Sequence, residues 1–234
     1  TQVLAYGPRD GRLGATNDPD HAALAAAVWI DAFQPDMAIA ITLAGLGLDV
    51  PSLEEMEEIE LSNRLYHDGD ADYLTVVVPG QNGQDEQISA PVTFILSPAR
   101  LVTLRHHAPR PFETFPARAE KSGVGTDSPD QVFLGLVQEI IGRLADHLEG
   151  IGKALDGVAR MIYRPNGQSQ SDLQGALVEI GQQGERLGRV RLALLTLGRA
   201  LNHIEPVIAG RSGAKELGKA LRTGLRDIDA LEQH

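Results

Sequence analysis

The chain has 234 residues, 42% hydrophobic and 23% charged, with a formal net charge of −11; this length and mix fit a soluble chain of one large domain or a domain with a helical extension. The acidic balance argues against a nucleic-acid groove, which needs clustered Lys and Arg, and is compatible with cation binding. The absence of cysteine excludes disulfide frameworks and Cys-ligated zinc or iron–sulfur sites.

In chain order, Val3 to Tyr6 reads as a weak strand. Asp18-Pro19 predicts an N-cap with Pro at the first helical position, opening an Ala-rich helix from His21 to Ala27. Val28 to Phe33 is a strand carrying the only Trp. Pro35 starts a further helix that Gly45 and Gly47 end. Ser52 caps an acidic helix, with Glu55 completing a capping box. Tyr73 to Val78 is a continuous β-branched and apolar run, as expected of a strand buried on both faces. Ile88 to Leu96 and Leu101 to Arg105 form a hairpin around Ser97-Pro98-Ala99-Arg100. Strands mixed with helices imply a mixed sheet sandwiched by helices, an α+β arrangement, over residues 1–122.

Residues 123–234 change period. Ser128-Pro129-Asp130-Gln131 is a second capping box. Val137, Ile141, Leu144, Leu148, Ile151, Leu155, Val158 and Ile162 then alternate spacings of four and three, a seam expected to pack lengthwise on a partner helix. Pro165-Asn166-Gly167 is expected to break this helix, Ser171 to Gln174 to cap a second one, and Pro206 to Gly213 to break that. A third helix starts near Ala214 with no stop signal before the chain ends. The pattern predicts long antiparallel helices followed by a projecting stalk helix. No apolar run approaches the roughly 18 residues of a membrane span. Thr1 opens the chain with no charged and apolar leader, so no signal peptide is expected and the sequence reads as a piece cut from a longer protein.

Several groups could carry chemistry. Glu54, Glu55, Glu57, Glu58 and Glu60 crowd about two helical turns, and such a run ordinarily faces water. Asp68, Asp70 and Asp72 alternate like the start of a calcium loop, but Gly69 falls at the second place and a strand follows, so a polar hairpin turn is expected. His106 and His107 are adjacent and point to opposite sides of a strand, and no His pair shows the i, i+4 spacing of a zinc site. Phosphate-loop and nucleophile-elbow motifs are missing, so no enzyme is expected.

The order of these parts resembles the cytoplasmic region of the CorA family of divalent-cation channels and transporters. Val28-Trp29-Ile30-Asp31 resembles the family's Trp-centred strand, and Pro51-Ser52-Leu53-Glu54-Glu55-Met56 its acidic helix. Glu58-Ile59-Glu60, Ser62-Asn63-Arg64-Leu65-Tyr66 and Asp72-Tyr73-Leu74 resemble the helix and strand that follow. Phe94-Ile95-Leu96 to Leu101-Val102-Thr103-Leu104-Arg105 resembles its hairpin, and Leu225-Arg226-Asp227-Ile228 the start of the helix that enters the membrane. The two membrane helices and the Gly-Met-Asn pore signature are absent from this sequence.

The resemblance implies a regulatory and vestibule portion on the cytoplasmic side of the cell membrane, without a pore. It implies self-association into a homopentamer, membrane attachment through the missing helices, and Mg2+ as ligand and transported ion, with zinc as the alternative. It places a regulatory metal between Glu55 and Asp227 of neighbouring subunits, Glu55 standing where the family usually carries the shorter Asp. Two carboxylates about 4 Å apart repel by roughly 4 kcal/mol at an effective dielectric near 20, and a divalent cation between them reverses that sign. A soluble coiled-coil scaffold and an α/β enzyme with an unrecognised acidic metal site are the competing readings.

Overall fold

The computed structural model describes residues 2–58, 60–163 and 169–233, with Leu61 and Ser62 entering through their backbone only. Ile59 and the expected helix break at Pro165-Asn166-Gly167 lie outside the described residues. Alternation of apolar side chains along the strands gives the sheet two buried faces. The strands are β1 (Gln2–Arg9), β2 (Arg12–Asn17), β3 (Trp29–Phe33), β4 (Leu65–Asp68), β5 (Ala71–Gln81), β6 (Gln87–Leu96) and β7 (Leu101–Arg105). They form one sheet in the order β2-β1-β3-β7-β6-β5-β4. Only β3 and β7 run parallel, with Trp29 opposite Leu101 and Phe33 opposite Arg105.

β2 has no counterpart among the strands expected from the sequence. It turns back from β1 through Asp10 (φ 51°) and Gly11 (φ 77°), two successive left-handed residues that suit a tight hairpin. Helix α1 (His21–Ala26) is capped by Asp20, whose carboxylate accepts the Ala23 N–H at 2.8 Å. The cap therefore lies two residues beyond the expected Asp18, which sits at φ 46°. Asp36 caps α2 (Met37–Ala44) in the same way.

Leu24, Leu43 and Met56 cover one face of the sheet, against Ile30, Ala32, Tyr73, Ile95, Val102 and Leu104. Met56 comes from α3 (Leu53–Glu57), which is followed by α4 (Leu61–Arg64). The opposite face, built on Trp29, Leu74, Val76, Phe94, Leu96 and Leu101, is covered by the helices that follow the sheet. The first, α5 (Pro111–Arg118), was unforeseen because Pro116 interrupts its pattern. It brings Phe112 and Phe115 within 6.3 and 6.1 Å of the Trp29 ring.

The long helices are α6 (Pro129–Ile162) and α7 (Gln170–Ala209), and both carry capping boxes. The α7 cap is Ser169 rather than the expected Ser171 stretch, because Asp172 supplies the reciprocal carboxylate at the third helical position. The break expected from Pro206 to Gly213 falls after Ala209; Pro206 itself lies in the last turn of α7, with buried Ile204 and Ile208 on either side. The third helix, α8 (Ala214–Glu232), begins where expected, but over its described length it lies along α6 and α7 instead of projecting, burying Leu217, Leu221, Gly224 and Ile228. Apolar side chains fully removed from water in this way contribute roughly 1.5–3 kcal/mol each.

Two polar contacts fix how these layers meet. At the parallel strand pair, Trp29 Nε1 donates to Thr103 Oγ1 at 3.0 Å, and Thr103 Oγ1 donates to Asp31 at 2.7 Å. Arg105 forks onto the same carboxylate, its Nη2 2.8 Å from Oδ2, while its guanidinium stacks 4.8 Å from Phe33 and 5.2 Å from Phe112. Further along, β4 pairs β5 only from Leu74 to Ala71, so the outer edge of β5 is open beyond it. There Thr196 of α7 accepts the Val77 N–H at 3.0 Å.

Removing Arg105 strands a buried charge, so Arg105→Ala is expected to cost about 3–5 kcal/mol, read as a fall in the urea midpoint. Thr196→Val keeps the shape but orphans the Val77 amide, with an expected cost of about 1–3 kcal/mol and faster hydrogen exchange at that amide.

Candidate functional site

The acidic stretch folds around one cap. Ser52 Oγ accepts the Glu55 N–H at 3.3 Å, and the Glu55 carboxylate accepts the Ser52 N–H at 2.7 Å. These bonds, led by the one from the Ser52 backbone, hold the Glu55 carboxyl below the usual glutamate range. Helix α3 is only five residues long, so the expected two-turn acidic helix is not what forms. Glu58 adopts an extended conformation (ψ 140°) that ends the helix. Asn63 donates to its carboxylate and Arg64 Nε to its carbonyl, which fixes the break. Glu60 lies in the link to α4, off the α3 face.

Beside α3 lies an open concavity of about 380 Å3 lined by Asp49, Glu55, Glu58, Asn63 and Tyr66, among others. No Lys or Arg among the described residues lines it. Tyr66 stacks on Tyr73 with ring centres 4.7 Å apart and planes 6° from parallel. The Tyr73 hydroxyl accepts the Asp49 N–H at 2.9 Å and lies 3.1 Å from the Asp49 carbonyl, to which it donates. Tyr66 has its pKa pushed up to about 12, first by burial, then by Tyr73 and the charges of Asp49, Glu55 and Asp68. Asp49 and Tyr66 were not singled out from the sequence. They meet through Tyr73, which faces Tyr66 across the β4–β5 pair and lies 24 residues from Asp49.

Asp227 occupies an exposed position of α8, next to buried Ile228. Because α3 packs on one face of the sheet and α8 belongs to the layer on the other, Glu55 and Asp227 lie on opposite sides of the same chain. Among the described residues, no group of three or more His, Asp or Glu side chains gathers where it could hold a metal. A metal shared by Glu55 and Asp227 therefore requires two copies of the chain.

The remaining candidates have structural roles. Gly69 and Asp70 form the turn between β4 and β5, and Asp72 points inward, 3.1 Å from His67 Nδ1. His107 is buried and its Nε2 lies 2.8 Å from the Val78 carbonyl. Burial chiefly holds the pKa of both His106 and His107 below the usual imidazole range. No described helix is long and apolar enough to cross a membrane.

A family profile described as "CorA-like Mg2+ transporter protein" matches residues 25–233. The magnesium transport protein CorA of Haemophilus influenzae (strain 86-028NP) is 30% identical over 99% of this chain and 72% of its own length. That of Pasteurella multocida is 29% identical over the same shares. Among solved structures, the soluble domain of CorA from Methanocaldococcus jannaschii superposes with a TM-score of 0.62 at 13% identity, over 98% of this chain and 88% of that one. The ZntB cytoplasmic domain from Vibrio parahaemolyticus gives 0.58 at 11% identity, over 100% and 95%. The chain belongs to the CorA family, whose members are channels and transporters rather than enzymes.

Ser52→Ala removes the cap and is expected to cost about 1 kcal/mol. It also disturbs the box that stabilises the ionised Glu55, so the Glu55 carboxyl should titrate closer to its ordinary value in a carbon-detected NMR titration. The sign follows from the depressed pKa: the contribution of the Glu55 bonds is present above the unfolded-state value and is lost as pH falls through the folded one.

Proposed function

We propose that this chain is the regulatory and vestibule portion of a CorA-type magnesium channel or transporter, standing on the cytoplasmic side of the membrane. In this reading residues 1–122 sense the ion and residues 123–234 form the shaft leading to membrane helices. A divalent cation sits between Glu55 of one copy and Asp227 of the next, within a homopentamer.

The observation that carries this reading is placement. Glu55 and Asp227 are exposed and lie on opposite sides of one chain, as a head-to-tail ring requires of two half-sites. Glu55 opens onto a concavity with carboxylates and no basic lining among the described residues, and the cap holds its carboxyl below the usual glutamate range. Mg2+ retains several waters and needs only one or two protein carboxylates, so two half-sites suffice. The relatives that align over nearly the whole chain are named magnesium transport proteins.

The mechanism is a biased equilibrium. With the cation bound, neighbouring copies are held together and the closed, symmetric ring is favoured. With the cation gone, the facing carboxylates repel and the copies move apart.

Sizing the chain across a Mg2+ titration tests this. Association should rise with Mg2+ in the wild type, and the Glu55→Ala, Asp227→Ala double variant should lose the response. A double variant that responds like the wild type overturns the assignment. Since Glu55 stays ionised below the ordinary glutamate range, the wild-type response should persist into mildly acidic solution.

A further inference from the structure

A second groove, which shares no lining residue with the one beside α3, has the opposite character. It measures about 440 Å3 and lies between α6, α7 and the outer ends of β5 and β6. Arg143, Asp146 and His147 of α6 and Gln183, Arg186 and Arg189 of α7 line it. In a chain of net charge −11, three guanidinium groups and a single carboxylate line this one concavity.

Ordinary solvated helix pairs account for part of this. Arg189 pairs with Glu185 one turn away, and Arg143 makes a loose contact with Asp146 at 3.9 Å. Arg186 is different. Its hydrogen bond runs from Nη1 to the Gln183 side-chain oxygen at 3.1 Å, and Gln183 is buried and itself donates to Glu179 at 2.7 Å. A neutral, anchored amide thus holds the Arg186 guanidinium in place without neutralising it. The guanidinium reaches across the seam to α6, where Nη2 would stand 3.8 Å from a Cβ on Gly150. A positioned guanidinium with no carboxylate partner among the described residues, in a concavity that Arg143 and Arg189 also line, is the arrangement that recognises phosphoryl oxygens.

We propose that this groove binds a phosphoryl group, with Arg143 and Arg186 as the principal contacts and Arg189 as supporting charge. The ligand is either a soluble polyphosphate or a phosphomonoester lipid headgroup, since both present the same oxygens. His147 reports occupancy. Burial, Arg143 and Arg186 lower its pKa and Asp146 opposes them, while Pro79, Gln87 and Ile88 of the strands bring no charge. A bound anion offsets the two arginines, so binding takes up a proton at His147 and strengthens as pH falls through the imidazole range.

The test is calorimetry and His147 ring NMR, with inorganic tripolyphosphate in one arm and phosphatidylcholine vesicles containing phosphatidic acid in the other. Binding in either arm, with the His147 signal moving toward the protonated position, supports the proposal. The arm that responds identifies the source. Arg186→Gln should weaken that binding about tenfold, the size of one charge-assisted hydrogen bond, and Arg143→Gln, Arg186→Gln should abolish it. Arg222→Gln, on the exposed side of α8 and outside the groove, controls for the loss of one positive charge and should leave binding unchanged. No binding in either arm overturns the proposal, as does a folded double variant that binds like the wild type. The readout is independent of Mg2+ and of Glu55 and Asp227, so it stands or falls separately from the cation site.

Discussion

The parallel contact between β3 and β7 is the constraint around which the rest is arranged. Every other strand pair is antiparallel, and this one joins segments separated by over seventy residues. Backbone pairing alone would leave its register weakly chosen. The side chains choose it: Trp29, Thr103, Asp31 and Arg105 form one chain of hydrogen bonds under the helical layer. Shifting β3 by one residue would turn Trp29 and Asp31 to the other face and leave Arg105 buried without its carboxylate. Tyr6, stacked 4.3 Å from Trp29, ties β1 to the same point, and burial there pushes its pKa up to about 12.

From that junction the two faces of the sheet acquire different jobs. The short helices α1 to α3 cover one face and leave a polar margin where Glu55 sits. The long helices cover the other, and α7 also closes the open edge of β5 through Thr196. An edge with free amides invites pairing with other chains, and a hydroxyl from a helix removes that liability without another strand. The same docking sets the orientation of α8, because Leu221 and Ile228 lock it to the helices already seated on the sheet. The separation of Glu55 from Asp227 is thus a consequence of layer order, not of local geometry at either residue.

Much of this was legible from residue patterns. The Tyr73 to Val78 run announced a strand buried on both faces, and the capping boxes at Ser52 and Ser128 marked helix starts that the structure has. The misses have physical causes. Asp10-Gly11 carries a tight-turn signal, but its flanking strands are weakly apolar and β2 is mostly exposed. The acidic helix looked longer than it is because the glutamates have good helix propensity; repulsion between like charges one turn apart opposes continuation, and the contacts of Asn63 and Arg64 with Glu58 stop it. The break expected from Pro206 to Gly213 is present but falls at its far end, because near a helix end the buried Ile204 and Ile208 outweigh the one amide lost at Pro206. Glu55 and Asp227 came from family resemblance. Asp49, which lines the same concavity as Glu55, came from neither resemblance nor pattern, and Tyr66 entered only as part of a resembling stretch.

Charge distribution links the sheet, the helices and the acidic margin. A chain of net −11 is self-repelling when copies approach, and carboxylates on outward faces concentrate that repulsion where neighbours would meet. Salt screens exposed charges over about 8–10 Å at physiological strength, which weakens distant terms and leaves the closest pairs dominant. A divalent cation acts on those pairs far more strongly than monovalent salt does, because one ion replaces a repulsion by two attractions. At the proposed site the cap holds the Glu55 carboxyl below the usual glutamate range, so the exchange would follow cation concentration rather than protons. In the proposed assembly, the rigid part of the fold anchored at Asp31 and Arg105 would hold each half-site in a fixed place while the relation between copies changed.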